Sequence, residues 1–428
     1  MPEHPIDVLR LFSSLSWAMD LMDPHVADHQ RRVAYIALKL AQEMALPAPE
    51  QDCLLLAALL HDCGIFSQQD KLGALRLDFD GEMAHGHAQV GALLMRKLRA
   101  HLFGQGFPEL PDLILHHHLP WDRGRGARQQ GREVPLAAHV LHLADRVDVL
   151  VNRRQEPLGQ AKGVVREIVK KKHAMFLPEA VEALEGLARR EYFWLDQGCP
   201  QALQQELALS NGAGQVVLDL AGLAGLAEVF ASLVDFKSRY TATHTAGVAV
   251  VGRFLAQEAG LSEHQQGMVE IAGLLHDLGK LAVPNEILDK PGPLDAEEFN
   301  VMKQHPYYTH RLIGAILGWE PLASWGAMHH ERLDGSGYPF HLAGGEIPLG
   351  ARITAVADVF TALAEDRPYR PAMSLPGTLA ILNDMAATGK LDPGLVQATR
   401  RHGPNLQSLL LSTQQERLRQ YRQIQEAA

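Results

Sequence analysis

An all-α fold of two consecutive helical bundles is what this sequence predicts, and three observations carry the prediction. Apolar residues recur at helical spacing, with Pro and Gly breaks between segments of helical length. Strand-like alternation is scarce. A fixed order of His and Asp residues runs through the chain twice, so one bundle is duplicated. The length of 428 residues suits such a pair, since domains commonly take roughly 100–200 residues each.

The elements follow in chain order. His29, Val33, Ile36 and Leu40 share one face of a helix, and LLLAALLHDCG at 54–64 is an apolar run without a polar face, which suggests a buried helix. His87, the pair His117-His118 and Asp145 continue the first copy. Residues 150–205 hold a basic turn (Lys170, Lys171, Lys172) and a helix expected to run through Arg189, Arg190 and Trp194. Ser210-Asn211-Gly212-Ala213-Gly214 is the best linker, dividing the chain into domains 1–208 and 209–428. The stretch from Val216 to Phe236, interrupted by Asp219, Glu228 and Asp235, is a helix candidate too charged to cross a membrane. His244, Val248, Val251 and Leu255 then repeat the first helical face, and EIAGLLHDLGK at 270–280 repeats the buried run. Gln414 to Ala428 is polar and helix-prone, a solvated terminal helix.

The spacing shows the duplication. His29 to His61 and His244 to His276 are both 32 residues apart. His61-Asp62, His87, His117-His118 and Asp145 pair with His276-Asp277, His305, His329-His330 and Asp358 at offsets between 212 and 218. Glu133-Val134-Pro135 and Glu346-Ile347-Pro348 match as well. A one-residue slip in the run His116–His118 would substitute His116; aligning Asp122 with Asp334 favours the last two.

Composition limits the chemistry. At 46% hydrophobic and 21% charged the chain is globular, and a net charge of -10 disfavours polymeric nucleic acid while permitting a small anion at a local positive site. Cys53, Cys63 and Cys199 are too few for a disulfide framework, and no CxxC pair offers a zinc ribbon. MPEHPIDVLR has no signal-peptide pattern, so a cytoplasmic, membrane-free protein is expected. A lone His on an apolar face is commonly a hydrogen-bonded core residue, but five His and two Asp recurring in order on apolar helices need compensation that metals supply. Imidazole and carboxylate without thiolate suit first-row metals such as Fe, Mn, Co, Ni or Zn. Seven ligands exceed one tetrahedral zinc and suit two metals sharing a carboxylate, about 3.5–4 Å apart, a geometry made for phosphoester hydrolysis.

The second copy resembles the HD-GYP subgroup of the HD phosphohydrolase superfamily, through HDLGK at 276–280, HP at 305–306, HHERLDGSGYP at 329–339, VADVF at 356–360 and DRPYR at 366–370. The resemblance spans about Asp219 to His402. It implies an all-helical phosphodiesterase that cleaves c-di-GMP or 3′,3′-cGAMP to the linear dinucleotide or mononucleotides. It implies two divalent ions, Fe or Mn, one held by His244, His276, Asp277 and Asp358. Asp277 would bridge to the second, held by His305, His329 and His330. Asp277 and Lys280 would be catalytic; Lys280, Tyr338, Arg367 and Arg370 would contact substrate. A homodimer and a diguanylate-cyclase partner stay open, as do two alternatives: a non-catalytic sensor or scaffold, and a phosphohydrolase for another nucleotide.

Three departures stand out. Tyr240 takes the place of a Glu that holds a third metal in some members, so two metals are expected. Thr361 stands where a second Asp is usual, and Thr309 where Gly is usual. The first copy resembles only the wider superfamily. It offers His29, His61, Asp62, His87, His117, His118 and Asp145 as a second metal site, but Ile65 replaces the Lys. DRGRGARQQGR at 122–132, with four arginines, replaces the GYP loop; phosphate binding stays open for it, and a flexible surface connection is the favoured expectation. A regulatory or dimerising role is expected for this domain.

Overall fold

The computed structural model describes residues 4–20, 28–65, 85–103, 106–209, 214–237, 243–317, 320–366 and 371–427. Two compact units emerge, one of Asp7–Val216 and one of Val217–Ala428 together with Met1–Ile6. Both are helical.

The first unit is ordered α1 (Val8–Asp20), α2 (His29–Glu43), α3 (Ala48–Leu59), α4 (His85–Leu102), α5 (Leu110–Leu115), α6 (Leu136–Leu150), α7 (Pro157–Lys170), α8 (Pro178–Leu187), α9 (Glu191–Leu195) and α10 (Pro200–Leu209). Helix α2 is its centre, packing against α3 and α6. The helix expected through Arg189 and Trp194 is broken there. Arg190 is extended (φ −107°, ψ 114°) between α8 and α9. The Trp194 indole donates to the Ala188 carbonyl at 3.1 Å, and Arg190 pairs with Glu43 at 3.0 Å, so tertiary partners hold the break open. The segment 122–132 is also no free connection. It folds as a 3₁₀ turn (Asp122–Ala127) and a two-stranded hairpin, β2 (Arg128–Gln129) with β3 (Arg132–Glu133). Amides of Trp121, Asp122 and Arg123 donate to the carbonyls of Met175, Ala174 and His173.

Where the division falls, β1 (His4–Asp7) pairs with β4 (Gln215–Leu218). The helix candidate at 216 therefore starts only at Leu220: Val216 and Val217 suit a strand, and the Asp219 carboxylate accepts the Gly222 amide at 2.8 Å. The longer helices of the second unit are α11 (Leu220–Lys237), α12 (His244–Glu258), α13 (Glu263–Leu275), α14 (Ala296–Met302), α15 (His305–Leu317), α16 (Glu320–Ala327), α17 (Leu349–Ala364), α18 (Leu375–Ala387), α19 (Pro393–Arg401) and α20 (Gly403–Ala427). The terminal helix thus begins well before Gln414, because Leu406 and Leu410 bury its first turns. The core joins Val248, Val251 and Leu255 of α12 with Val356 and Phe360 of α17 and Leu395 of α19. α12 and α13 approach closely at Gly273, where a Cβ would lie 2.7 Å from the Ala249 Cα. That approach carries the histidine at the start of α12 toward the end of α13.

Candidate metal centres and active site

Helix ends build the second-unit site. His244 opens α12; His276 caps α13, and Asp277 starts the 3₁₀ turn Leu278–Ala282. His305 opens α15, His329 and His330 lie in the 3₁₀ turn after α16, and Asp358 sits within α17. Their ligand atoms form overlapping triads, each within 4.8 Å: His244–His276–Asp358, His276–Asp277–His329 and His305–His329–His330. Asp277 lies between the outer two, its Oδ2 3.1 Å from His276 Nε2 and its Oδ1 3.4 Å from His305 Nε2. His244 Nε2 is 3.1 Å from Asp358 Oδ1.

The rings are oriented before any ligand arrives. His276, His305 and His329 each donate from Nδ1 to a carbonyl three residues back, of Gly273, Met302 and Gly326, all at 2.7 Å. That fixes the tautomer and leaves Nε2 lone pairs facing Asp277. Burial pushes His329 down to about 3 and His305 to about 4, so both rings are neutral at neutral pH, the form that binds metal. Burial opposes charge on Asp277, yet His276 and Lys280 hold it well below the usual carboxylate range. Burial likewise disfavours a charged His244, but Glu365 and Asp358 raise it to about 10. The neutral His305 and His329 imidazoles beside the buried Asp277 carboxylate are donors of the kind divalent ions take, and a metal at His244 would displace its proton.

Lys280 Nζ sits 2.6 Å from Asp277 Oδ2 at the edge of the cluster. The Tyr338 ring lies against His330, centroids 4.9 Å apart. The buried Glu331 carboxylate accepts the amides of Phe340 and Leu342 at 2.7 and 3.0 Å, shaping the loop that carries Tyr338. Arg367 and Arg370, assigned to substrate by resemblance, lie outside the described residues, as does Tyr240.

Thr309, which stands in place of a glycine, has a structural duty. Its hydroxyl accepts the Gly279 amide at 2.9 Å and donates to the His276 carbonyl at 2.9 Å, tying α15 to the HD turn. Thr309→Val keeps the shape and orphans a buried amide, so it should destabilise the second unit by about 1–3 kcal/mol. Chemical denaturation would check this; an unchanged midpoint would show that the hydroxyl carries no net stability.

The first unit repeats the arrangement. His29–His61–Asp62 and Asp62–His87–His117–His118 form two clusters sharing Asp62, with His117 and His118 rather than His116 facing Asp62 and His87. His116 instead donates from Nδ1 to the Asp112 carbonyl at 2.9 Å. His61 and His117 donate from Nδ1 to Ala58 and Ile114 at 2.9 and 2.6 Å. The Nε2 atoms of His29 and His61 are buried without a hydrogen-bond partner among the described residues, so this site too fits a metal. Asp145 differs from its counterpart: Arg146 binds its Oδ2 at 2.6 and 3.0 Å.

Sequence reasoning missed several contributors. Gly64 and Gly279 admit no side chain, since a Cβ would lie 2.0 Å from the His87 carbonyl oxygen and 1.9 Å from that of His305. Their shared place after each His-Asp pair was a visible signal. Glu331 and Glu365 had none, being ordinary acids until the chain folds.

Fold and site define a protein of two HD-type helical bundles, each with a cluster of His and Asp side chains that could hold metal. HD-domain family profiles match residues 26–150 and 228–395. A "3′3′-cGAMP-specific phosphodiesterase 1" of Vibrio cholerae is 32% identical over 91% of this chain and 90% of its own. A second protein of that organism, "3′3′-cGAMP-specific phosphodiesterase 3", is 28% identical over 93% and 95%. The crystal structure of a V. cholerae cyclic GMP-AMP specific phosphodiesterase (V-cGAP3) superposes with a TM-score of 0.63 at 26% identity, covering 96% of this chain and 98% of that one. A cyclic di-GMP phosphodiesterase response regulator of Xanthomonas campestris is 40% identical over 42% of this chain. The chain belongs to the HD-GYP phosphodiesterase family, with a further HD domain ahead of the HD-GYP domain, and is a metal-dependent phosphodiesterase. Among the described residues no helix is long and apolar enough to cross a membrane.

Proposed function

We propose that the second unit hydrolyses a 3′,3′-linked cyclic dinucleotide, with cyclic GMP-AMP the leading substrate and c-di-GMP the second. The supporting observation is coverage. Relatives that span nine-tenths or more of both chains carry the cyclic GMP-AMP name, whereas the Xanthomonas c-di-GMP relative matches only 42% of this chain.

His244, His276, Asp277 and Asp358 would hold one ion and Asp277, His305, His329 and His330 the other. Bound there, two divalent ions supply Lewis acidity and an acidified water for in-line phosphoryl displacement. The protein's own part is positional. Asp277, in the triad that overlaps both of the others, would set the separation of the two ions. Lys280 turns from Asp277 toward a phosphate oxygen and neutralises developing charge. Tyr338, held beside His330, offers a ring face to a base. Arg367 and Arg370 complete the phosphate contacts. Fe or Mn are the expected ions, and a cytoplasmic location follows from the substrate class.

The first unit takes a regulatory or dimerising role in this reading. It has Ile65 where the second has Lys280, and its Asp145 is paired to Arg146. A diguanylate-cyclase partner and a homodimer belong to the same reading.

Anaerobic turnover of Fe- and Mn-loaded protein on 3′,3′-cGAMP and c-di-GMP, followed by chromatography, tests it. Linear product is expected from both, faster from 3′,3′-cGAMP. No product from either, with metals bound, would overturn the catalytic reading in favour of a sensor. Lys280→Ala should lower kcat about 10²-fold with metal content unchanged, as loss of one charge-stabilising group does; an unchanged kcat would remove Lys280 from catalysis.

A further inference from the structure

The two units support their first metal-site histidine in different ways, and the difference assigns a role to Glu365. In the first unit, Asp148 lies three residues beyond Asp145 on α6 and bonds His29 Nδ1 at 2.7 Å. Arg32 grips the same carboxylate at 2.7 and 3.2 Å, with Arg153 against it as well. Carboxylate, imidazole and metal site thus form one line.

The second unit has lost both halves of that arrangement. At the repeat offsets, 213 for Asp145 to Asp358 and 215 for His29 to His244, Asp148 corresponds to Thr361 and Arg32 to Gly247. The two replacements fit each other. A Cβ on Gly247 would lie 2.7 Å from Thr361 Cγ2 and 2.5 Å from Leu410 Cδ1, so apolar packing now fills the place of the buried ion pair. The Thr361 hydroxyl is buried without a hydrogen-bond partner among the described residues. It provides nothing to His244.

Glu365 stands four residues after Thr361, one helical turn on, where α17 ends. Its side chain is 5% exposed, and its Oε1 lies 2.9 Å from His244 Nδ1. The approach is off the line of the ring N–H, unlike the hydrogen bond of Asp148. Oε2 faces Gln414 Nε2 at 3.5 Å.

We propose that Glu365 is the positioning residue of the catalytic unit's first metal histidine, having taken over from position 361 the support that Asp148 gives in the other unit. It orients the His244 ring and raises the basicity of Nε2, the atom facing Asp358 and the metal position. The proposal rests on the reading that this cluster binds metal.

The test uses the full chain carrying Asp62→Ala, which silences the first cluster. Mn retained against graded chelator is measured for this parent and with Glu365→Gln, Glu365→Ala or Glu365→Ala/Thr361→Asp added; kcat and KM are read alongside, and circular dichroism checks folding. Glu365→Ala should weaken Mn retention about 10–100-fold, the usual loss for such a partner, and lower kcat more than it raises KM. Glu365→Gln, which keeps an accepting oxygen, should fall between. Thr361→Asp should restore at least about tenfold of the lost affinity, by returning the carboxylate to the place it holds in the first unit. Folded Glu365→Ala protein that retains Mn like its parent overturns the proposal, as does a folded double variant no better than Glu365→Ala. If the double variant does not fold, the Gln and Ala variants decide alone, and equal retention in both and the parent overturns it. A parent that binds no Mn overturns the metal reading itself, a separate result.

Discussion

Asp277→Ala should reduce phosphodiester turnover about 10³-fold, equivalent to ~4 kcal/mol of transition-state stabilisation. The two oxygens of Asp277 face His276, His305, His329 and Lys280 at 3.1, 3.4, 4.0 and 2.6 Å, and it lies between the two outer triads. Removing it takes away the carboxylate of the triad that overlaps both of the others and leaves Lys280 without its anchor. Metal content should fall toward one ion per catalytic unit or fewer. Asp277→Asn separates charge from shape, because it keeps the volume and one oxygen but lacks the anion; its turnover should fall nearly as far. Metal analysis, circular dichroism and turnover on the same preparation check the set. Retention of more than about a tenth of activity would show that Asp277 bridges nothing.

Gly279→Ala should have the second-largest effect. A Cβ there would sit 1.9 Å from the His305 carbonyl oxygen and 2.6 Å from the Thr309 amide nitrogen, both backbone atoms that no rotamer can move aside. The start of α15 must shift, with His305 on it, or the HD turn must. Overpacking of this kind costs about 1–3 kcal/mol, and a displaced His305 weakens the second metal position. Calorimetry should show one destabilised transition, with turnover lowered about tenfold or more. Gly64→Ala creates the same collision in the first unit, 2.0 Å from the His87 carbonyl oxygen. It should destabilise comparably yet lower turnover far less, if the second unit alone cleaves the substrate. Equal loss of activity in both variants would place the first unit in the reaction.

The legible parts of this molecule were those written into local order. Equal 32-residue intervals from His29 to His61 and from His244 to His276 exposed the duplication, because copies of one bundle keep their helix lengths while loops drift. The ligand types were legible because His and Asp on apolar helices have few uses. Element boundaries were less so. The helix expected through Arg189 and Trp194 breaks because Glu43, far off in sequence, claims Arg190. The segment before Leu220 is a strand because the first residues of the chain return to pair with it.

Sequence alone therefore determined the helical class, the repeat and the His and Asp residues that gather as candidate metal donors, since each depends on residue type and spacing along one chain. Tertiary structure decided what surrounds those donors. Thr309 looked like the loss of a glycine and is a double hydrogen-bonding strut. Thr361 looked like the loss of a carboxylate, and Glu365 supplies one from the next turn. Asp148 and His29 meet across 119 residues. Such contacts join groups that only the packing of distant helices brings together, and no local pattern of residues encodes that distance.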